Sequence, residues 1–235
     1  MDKIYVIGDS HSVFWSGNDK ISDATPLVRG IKSLDNNDFF KIFYLGSCLA
    51  YSMNNENSST QGLNKVKFLI DNNYIPINSY IMTVFGEIDL RVHICKNINL
   101  MFIKIKNAIN NYFEFINYLL YSGFKVIVCG PIPSQKASWY NNPNYPRNGT
   151  EFQRNTATLI FNTLLEIECK KLNITFFTLF NEVIDSNFET ISDYIVDQCH
   201  LSRTIYNKAC KLLFHTLRER ERERERENAS SAKSE

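Results

Sequence analysis

The stretch Lys3-Ile4-Tyr5-Val6-Ile7-Gly8-Asp9-Ser10-His11-Ser12 decides how the chain is read. Ile4 to Ile7 is a short apolar, β-branched run of the kind that forms a buried strand. It stops abruptly at Gly8-Asp9-Ser10. Glycine lets a strand end turn sharply. A hydroxyl on that turn sits where a central strand of an α/β sheet opens onto a ligand crevice. The same tripeptide is good turn chemistry for any parallel strand. What separates the two readings is whether the far end of the chain supplies a base for Ser10.

Working outward, four further runs read as strands: Phe39 to Leu45, Tyr80 to Phe85, Lys125 to Cys129 and Ile174 to Leu179. The second ends at Gly46-Ser47 and the third at Gly86-Glu87-Ile88-Asp89-Leu90-Arg91. Helical spacing of apolar residues marks segments from about Thr60 to Asn72 and Asn99 to Tyr121. Thr150-x-x-Gln153 matches a capping box and opens a helix reaching about Lys171. Ser202 caps a last helix holding Ala209, Leu212, Leu213 and Leu217. Between the first two strands the chain is mixed and polar, with a short helix over Leu27 to Leu34. Strands alternating with helices predict an α/β fold, a three-layer α/β/α sandwich around a five-stranded parallel sheet. Right-handed crossovers then bring the Gly-bearing turns after the first three strands to one sheet edge.

The 235 residues suit one domain, residues 1–217, followed by a charged tail, 218–235. In the Arg-Glu repeats from Arg218 to Glu227, opposite charges fall at i,i+3 and like charges at i,i+4, so helical support is mixed. The tail reads as disordered or as a solvated helix. A net charge of +1 gives no broad field for nucleic acid or an anionic membrane. The six cysteines include no C-x-x-C pair, so zinc-knuckle and thioredoxin-like readings fail, and buried free thiols are expected. No run approaches the ~20 apolar residues of a membrane span. The first strand begins near residue 3, which leads to the expectation of a cytoplasmic protein without a signal peptide.

The base is offered by Asp197-Gln198-Cys199-His200. Serine is a poor nucleophile until a base takes its proton, and the base needs an orienting acid. In a tight turn, Asp197 can reach the Nδ1–H of His200 and leave Nε2 to face Ser10. Away from such a context, D-x-x-H is a common surface pair.

Gly8-Asp9-Ser10 after strand one, Gly46 after strand two, the Gly86 turn after strand three and Asp197-x-x-His200 before the last helix together resemble the SGNH (GDSL) hydrolase superfamily. The blocks stand in that family's order and span residues 4 to 200. The resemblance implies a flavodoxin-like sandwich with Ser10 as nucleophile, His200 as base and Asp197 as its orienting acid. It also implies an oxyanion hole from the Ser10 and Gly46 amides plus an asparagine side chain in the third block. That third block departs from the pattern: Ile88 stands where the family has the asparagine. Arg91 is a candidate to supply charge there, to bind an acidic substrate, or to pair with Glu87 or Asp89. His11 is a candidate to line the pocket or bond near Glu87, and equally a structural turn histidine.

The expected activity is a serine esterase, or acyl transferase, acting on a small acyl group such as acetyl on a glycan, with no metal or cofactor. The aromatic loop Trp139 to Tyr145 follows strand four and suits either sugar stacking or a small loop core. Two rivals remain. Asp9-Ser10-His11 is also a D-x-H, as in metallophosphoesterases with two-metal sites, though no Gly-Asn-His-(Asp/Glu) motif accompanies it. Ile88 keeps open a non-catalytic binding domain on a hydrolase fold.

Overall fold

The structure, a computed structural model, describes residues 3–17, 21–35, 38–134, 142–197 and 199–231. Five strands stand where the sequence places them: β1 (Ile4–Gly8), β4 (Phe40–Tyr44), β5 (Tyr80–Val84), β6 (Lys125–Cys129) and β7 (Thr175–Phe177). They pair in parallel. Two short strands, β2 (Thr25–Pro26) and β3 (Lys32–Leu34), add an antiparallel edge. The sheet is therefore mixed and seven-stranded, in the order β2-β3-β4-β1-β5-β6-β7, rather than five-stranded and wholly parallel.

The helix expected over Leu27 to Leu34 is replaced by this hairpin. Leu27, Ile31 and Leu34 follow helical spacing, but Arg29 and Gly30 adopt φ of 58° and 72°. That left-handed pair turns the chain back, and Leu27 N–H donates to the Ile31 carbonyl at 2.8 Å. Ile31 and Leu34 are buried all the same, so burial is met by the hairpin.

Alternation along β1 sends Ile7 to one face and Ile4 and Val6 to the other. Helices α1 (Gly62–Asp71), α2 (Met101–Tyr121) and α3 (Glu151–Lys171) pack on the Ile7 face. Helix α4 (Tyr206–Ser231) covers the Val6 face with Ala209, Leu213 and Leu217, helped by Val13, Phe14 and Trp15. These are the three layers of the sandwich. The capping box of α3 is complete: Thr150 Oγ1 accepts from Gln153 N–H and the Gln153 side chain accepts from Thr150 N–H.

The six cysteines are free, and all but Cys210 are buried. Among the described residues no helix is long and apolar enough to cross a membrane. Helix α4 continues through the Arg-Glu repeats, where Arg220 and Arg224 donate to the Asn173 side chain and carbonyl.

Candidate active site

Strand β1 lies between β4 and β5, and the chain visits β4 first and β5 afterwards. This reversal of direction is the switch point where open α/β sheets bind ligands. Ser10 stands at its carboxyl edge. A Cβ on Gly8 would lie 2.5 Å from the Val84 carbonyl oxygen and 2.9 Å from Ser12 Cβ. Only glycine lets β1 end this close to β5. Asp9 then caps a 3₁₀ turn over Ser10–Ser16, its Oδ1 accepting from His11 N–H at 2.9 Å. Ser12 Oγ donates to the Asp9 carbonyl at 2.6 Å. Asp9 is fully buried, which raises its carboxyl above the ordinary range.

The other end of the chain arrives through a second tight turn. Asp197 Oδ1 accepts from both Cys199 N–H and His200 N–H, each at 2.9 Å. A bridge between Ile195 and Leu201 closes the loop. His200 Nδ1 lies 2.7 Å from Asp197 Oδ2, and His200 Nε2 lies 2.7 Å from Ser10 Oγ. With Nδ1–H donating to the carboxylate, Nε2 accepts from the serine hydroxyl. The structure thus brings together Ser10, His200 and Asp197. Burial pushes the Asp197 carboxyl up. The His200 hydrogen bond and charge, joined by two backbone N–H groups, more than reverse this and hold it well below the carboxylate range. Burial pushes the His200 imidazole down. The charge of the neighbouring Cys199 and the Asp197 bond outweigh it and lift His200 to about 9. A base in this setting holds a proton firmly once it has one.

Gly46 follows β4 with φ of 89°. Space around it is open, with Lys65 Nζ at 3.6 Å from a notional Cβ, so conformation rather than crowding calls for glycine. Among the described residues no acceptor takes the Ser10 or Gly46 amide hydrogen. Both remain available to an oxyanion.

The third block is a packed polar core. Glu87 is buried and takes Arg91 Nε at 2.6 Å and Arg91 Nη2 at 3.0 Å. Burial raises Glu87, but the charges and bonds of Arg91 and His11 bring it down to about 2. Arg91 lies in a π-helical turn, Asp89–Ile94, and its Nη1 donates to the Tyr145 carbonyl. Of the roles open to Arg91 in the sequence, pairing with Glu87 is the one this geometry displays. Asp89 accepts from Ala50 N–H at 2.8 Å and Tyr51 N–H at 3.0 Å, tying the loop after β4 to this turn. Burial pushes Asp89 up to about 6 despite those bonds. Ile88 is buried and carries no donor on its side chain.

His11 Nε2 lies 3.2 Å from Glu87 Oε2, and its ring packs tilted against His200 with centroids 4.7 Å apart. Burial lowers the His11 imidazole, but the Asp9 charge and bonds to Cys199 and Glu87 lift it well above its usual value. Cys199 is the residue that sequence reading passed over. It is buried, with Sγ 3.9 Å from His200 Nδ1. Its position inside the Asp197-x-x-His200 block was the available signal. An apolar cavity nearby is lined by His11, Trp15, Val84 and Ile132 but not by Ser10.

Of the aromatic loop, Trp139, Tyr140 and Asn141 lie outside the described residues. Tyr145 lies within them, its hydroxyl 2.7 Å from Ser47 Oγ beside Gly46. The loop is stitched to the π-helical turn, with Asn148 N–H donating to the Arg91 carbonyl and Asn148 Nδ2 to the Val92 carbonyl. Buried Arg154 holds its two ends, donating to Ser134 Oγ and the Gly149 carbonyl.

No protein-family model matches the sequence, and no curated protein matches it. Solved structures do match in fold. A GDSL-like lipase from Bacteroides thetaiotaomicron is 13% identical, with a TM-score of 0.58 over 93% of this chain and 88% of that one. A catalytic mutant of an acetylxylan esterase from Geobacillus stearothermophilus is 11% identical, with a TM-score of 0.54 over 92% and 93%. The M. smegmatis aryl esterase is 12% identical, with a TM-score of 0.53 over 93% and 99%. The chain shares the three-layer α/β fold of these lipase and esterase structures.

Proposed function

We propose that this protein is an SGNH-type serine esterase that cleaves a small acyl ester, with acetyl on a carbohydrate as the preferred candidate. The observation that carries the reading is the continuous hydrogen-bond chain Ser10–His200–Asp197, two contacts of 2.7 Å at the switch point of the sheet.

In this mechanism Ser10 Oγ attacks the acyl carbonyl while its proton passes to His200 Nε2. Asp197 holds the imidazole in the right tautomer and stabilises the imidazolium that forms. The tetrahedral oxyanion is met by the Ser10 and Gly46 amides. His200 returns the proton to the departing alkoxide, leaving an acyl group on Ser10. Water, activated by His200, then releases the acid; an alcohol in its place makes the enzyme an acyl transferase. No metal or cofactor enters these steps. Ile88 in place of a side-chain donor leaves two amides, and one missing donor costs ~10²–10³ in rate. The expected enzyme is therefore slow or narrowly selective. Carbohydrate is favoured by the Tyr145 ring, whose hydroxyl meets Ser47 beside Gly46, and by the fold shared with an acetylxylan esterase.

The test is labelling with a fluorophosphonate followed by peptide mapping, and then a series of acyl-chain lengths. Label on Ser10, lost in Ser10→Ala together with acetyl-ester hydrolysis, is the expected result. A protein that neither labels nor cleaves short esters would be a binding domain on this fold.

A further inference from the structure

Directly beside Ser10, three soft ligands converge that the esterase mechanism does not need as a set. His11, Cys199 and His200 each offer one ligand atom, and these atoms all lie within 4.8 Å of one another. His11 comes from the 3₁₀ turn after β1. Cys199 and His200 come from the Asp197 turn at the other end of the chain. We propose that His11, Cys199 and His200 form an inhibitory site for a soft divalent cation such as Zn²⁺, whose occupancy takes the base away from Ser10. The inhibitory half of this rests on the esterase reading; the cation site does not.

The donor set is the first argument. Two imidazoles and a thiolate suit Zn²⁺ and exclude Mg²⁺ and Ca²⁺, which take oxygen. Distance is the second. At usual Zn–N and Zn–S lengths, ligand atoms around tetrahedral zinc stand roughly 3.3–3.8 Å apart. Closing the set takes about 1 Å of side-chain movement. The surroundings are the third. Metal-bound histidines hold their second nitrogen against a carboxylate. His11 already has one in Glu87, and His200 has one in Asp197 for a metal on its Nε2. Cys199 binds a metal as the thiolate, so it brings a negative charge to the entering cation.

Either ring nitrogen of His200 gives the same consequence. A cation on Nε2 uses the lone pair that accepts the Ser10 proton. A cation on Nδ1 displaces the Asp197 bond and leaves the ring proton on Nε2, which then cannot act as base. Both routes silence Ser10 without blocking the crevice.

The experiment uses the full chain stripped with a chelator. Co²⁺ is added while the near-ultraviolet thiolate-to-cobalt absorption is followed, in wild type, Ser10→Ala, Cys199→Ser and His11→Gln. Zn²⁺ is then titrated against acetyl-ester hydrolysis in wild type, Cys199→Ser and His11→Gln, each scaled to its own metal-free rate, with Mg²⁺ in parallel. The expected result is a band present in wild type and Ser10→Ala and absent in Cys199→Ser. Loss of a direct ligand should raise the half-inhibitory Zn²⁺ by at least the ~10–100-fold that an outer partner costs, with Mg²⁺ inert. The His11→Gln variant should shift in the same direction. No cobalt band, with Zn²⁺ inhibition equal in wild type and Cys199→Ser, would overturn the site. A Cys199-dependent band without inhibition would overturn the switch and keep the site. A band in a protein lacking any esterase activity would defeat the esterase reading and leave the cation site standing.

Discussion

Asp197 stands half in solvent, its side chain 49% exposed, while the base it orients is only 31% exposed. That exposure sets the size of its contribution. Replacing the acid of a buried triad by its amide costs ~10⁴ in kcat, because the wrong imidazole tautomer is selected. In Asp197→Asn the side-chain oxygen still accepts from Cys199 and His200 N–H, so the turn persists. The amide nitrogen then faces Nδ1 and drives the proton to Nε2. Water competes for both groups at this exposure, so the expected loss is smaller, on the order of 10²–10³ in kcat with KM little changed. Steady-state kinetics on an acetyl ester checks it; an unchanged kcat would remove Asp197 from the mechanism. At this scale Ser10, Asp197 and His200 were legible in the sequence because each block is local and self-positioning. Cys199 was not. In sequence only its place inside the Asp197-x-x-His200 block sets it apart, and its meaning arises when His11 arrives from the opposite end of the chain.

Elements show where helical periodicity misleads. Leu27, Ile31 and Leu34 repeat at helix spacing, yet the left-handed pair Arg29-Gly30 turns the segment into a hairpin. Boundaries of the parallel strands and of α1 to α3 were readable within a residue or two, since long apolar periodicities and the Thr150 box are strong signals. The π-helical turn Asp89–Ile94 was not, because its cause lies in distant partners. Glu87 and the Tyr145 carbonyl claim Arg91, and the Ala50 and Tyr51 amides claim Asp89. Arg91→Met strips a buried carboxylate of its main counter-charge. Breaking such a pair costs about 3–5 kcal/mol, and His11 at 3.2 Å retains part of the compensation, which places the expectation at about 3 kcal/mol. Urea unfolding measures it. Adding Glu87→Gln removes the stranded charge, so the double variant should be more stable than the sum of the two single losses. Simple additivity would mean that the pair does not anchor the turn.

For the molecule as a whole, the question is how much of the chain the fold requires. Among the described side chains, Leu217 is the last buried one of α4, at 3% exposure. Beyond it the helix carries Arg-Glu repeats whose partners lie at the surface: Asn173 for Arg220 and Arg224, and Tyr80 for Glu221. Asn173 precedes β7 and Tyr80 begins β5, which puts these contacts at the amino-terminal edge of the sheet, opposite Ser10. Exposed ion pairs and hydrogen bonds of this kind contribute ~0–1 kcal/mol each, and the like charges at i,i+4 offset part of that. Ending the chain at Leu217 should therefore cost about 1 kcal/mol, a fall in Tm of roughly 2–4 °C for a chain of this size. Hydrolysis of the acetyl ester should keep its wild-type kcat and KM, because nothing that positions Ser10 or His200 touches the repeats. Thermal unfolding and kinetics on the shortened chain decide the matter. A fall in Tm beyond about 10 °C, roughly 3 kcal/mol or more, would make the repeats part of the folded domain. A changed KM with an unchanged Tm would instead link the far end of α4 to the crevice.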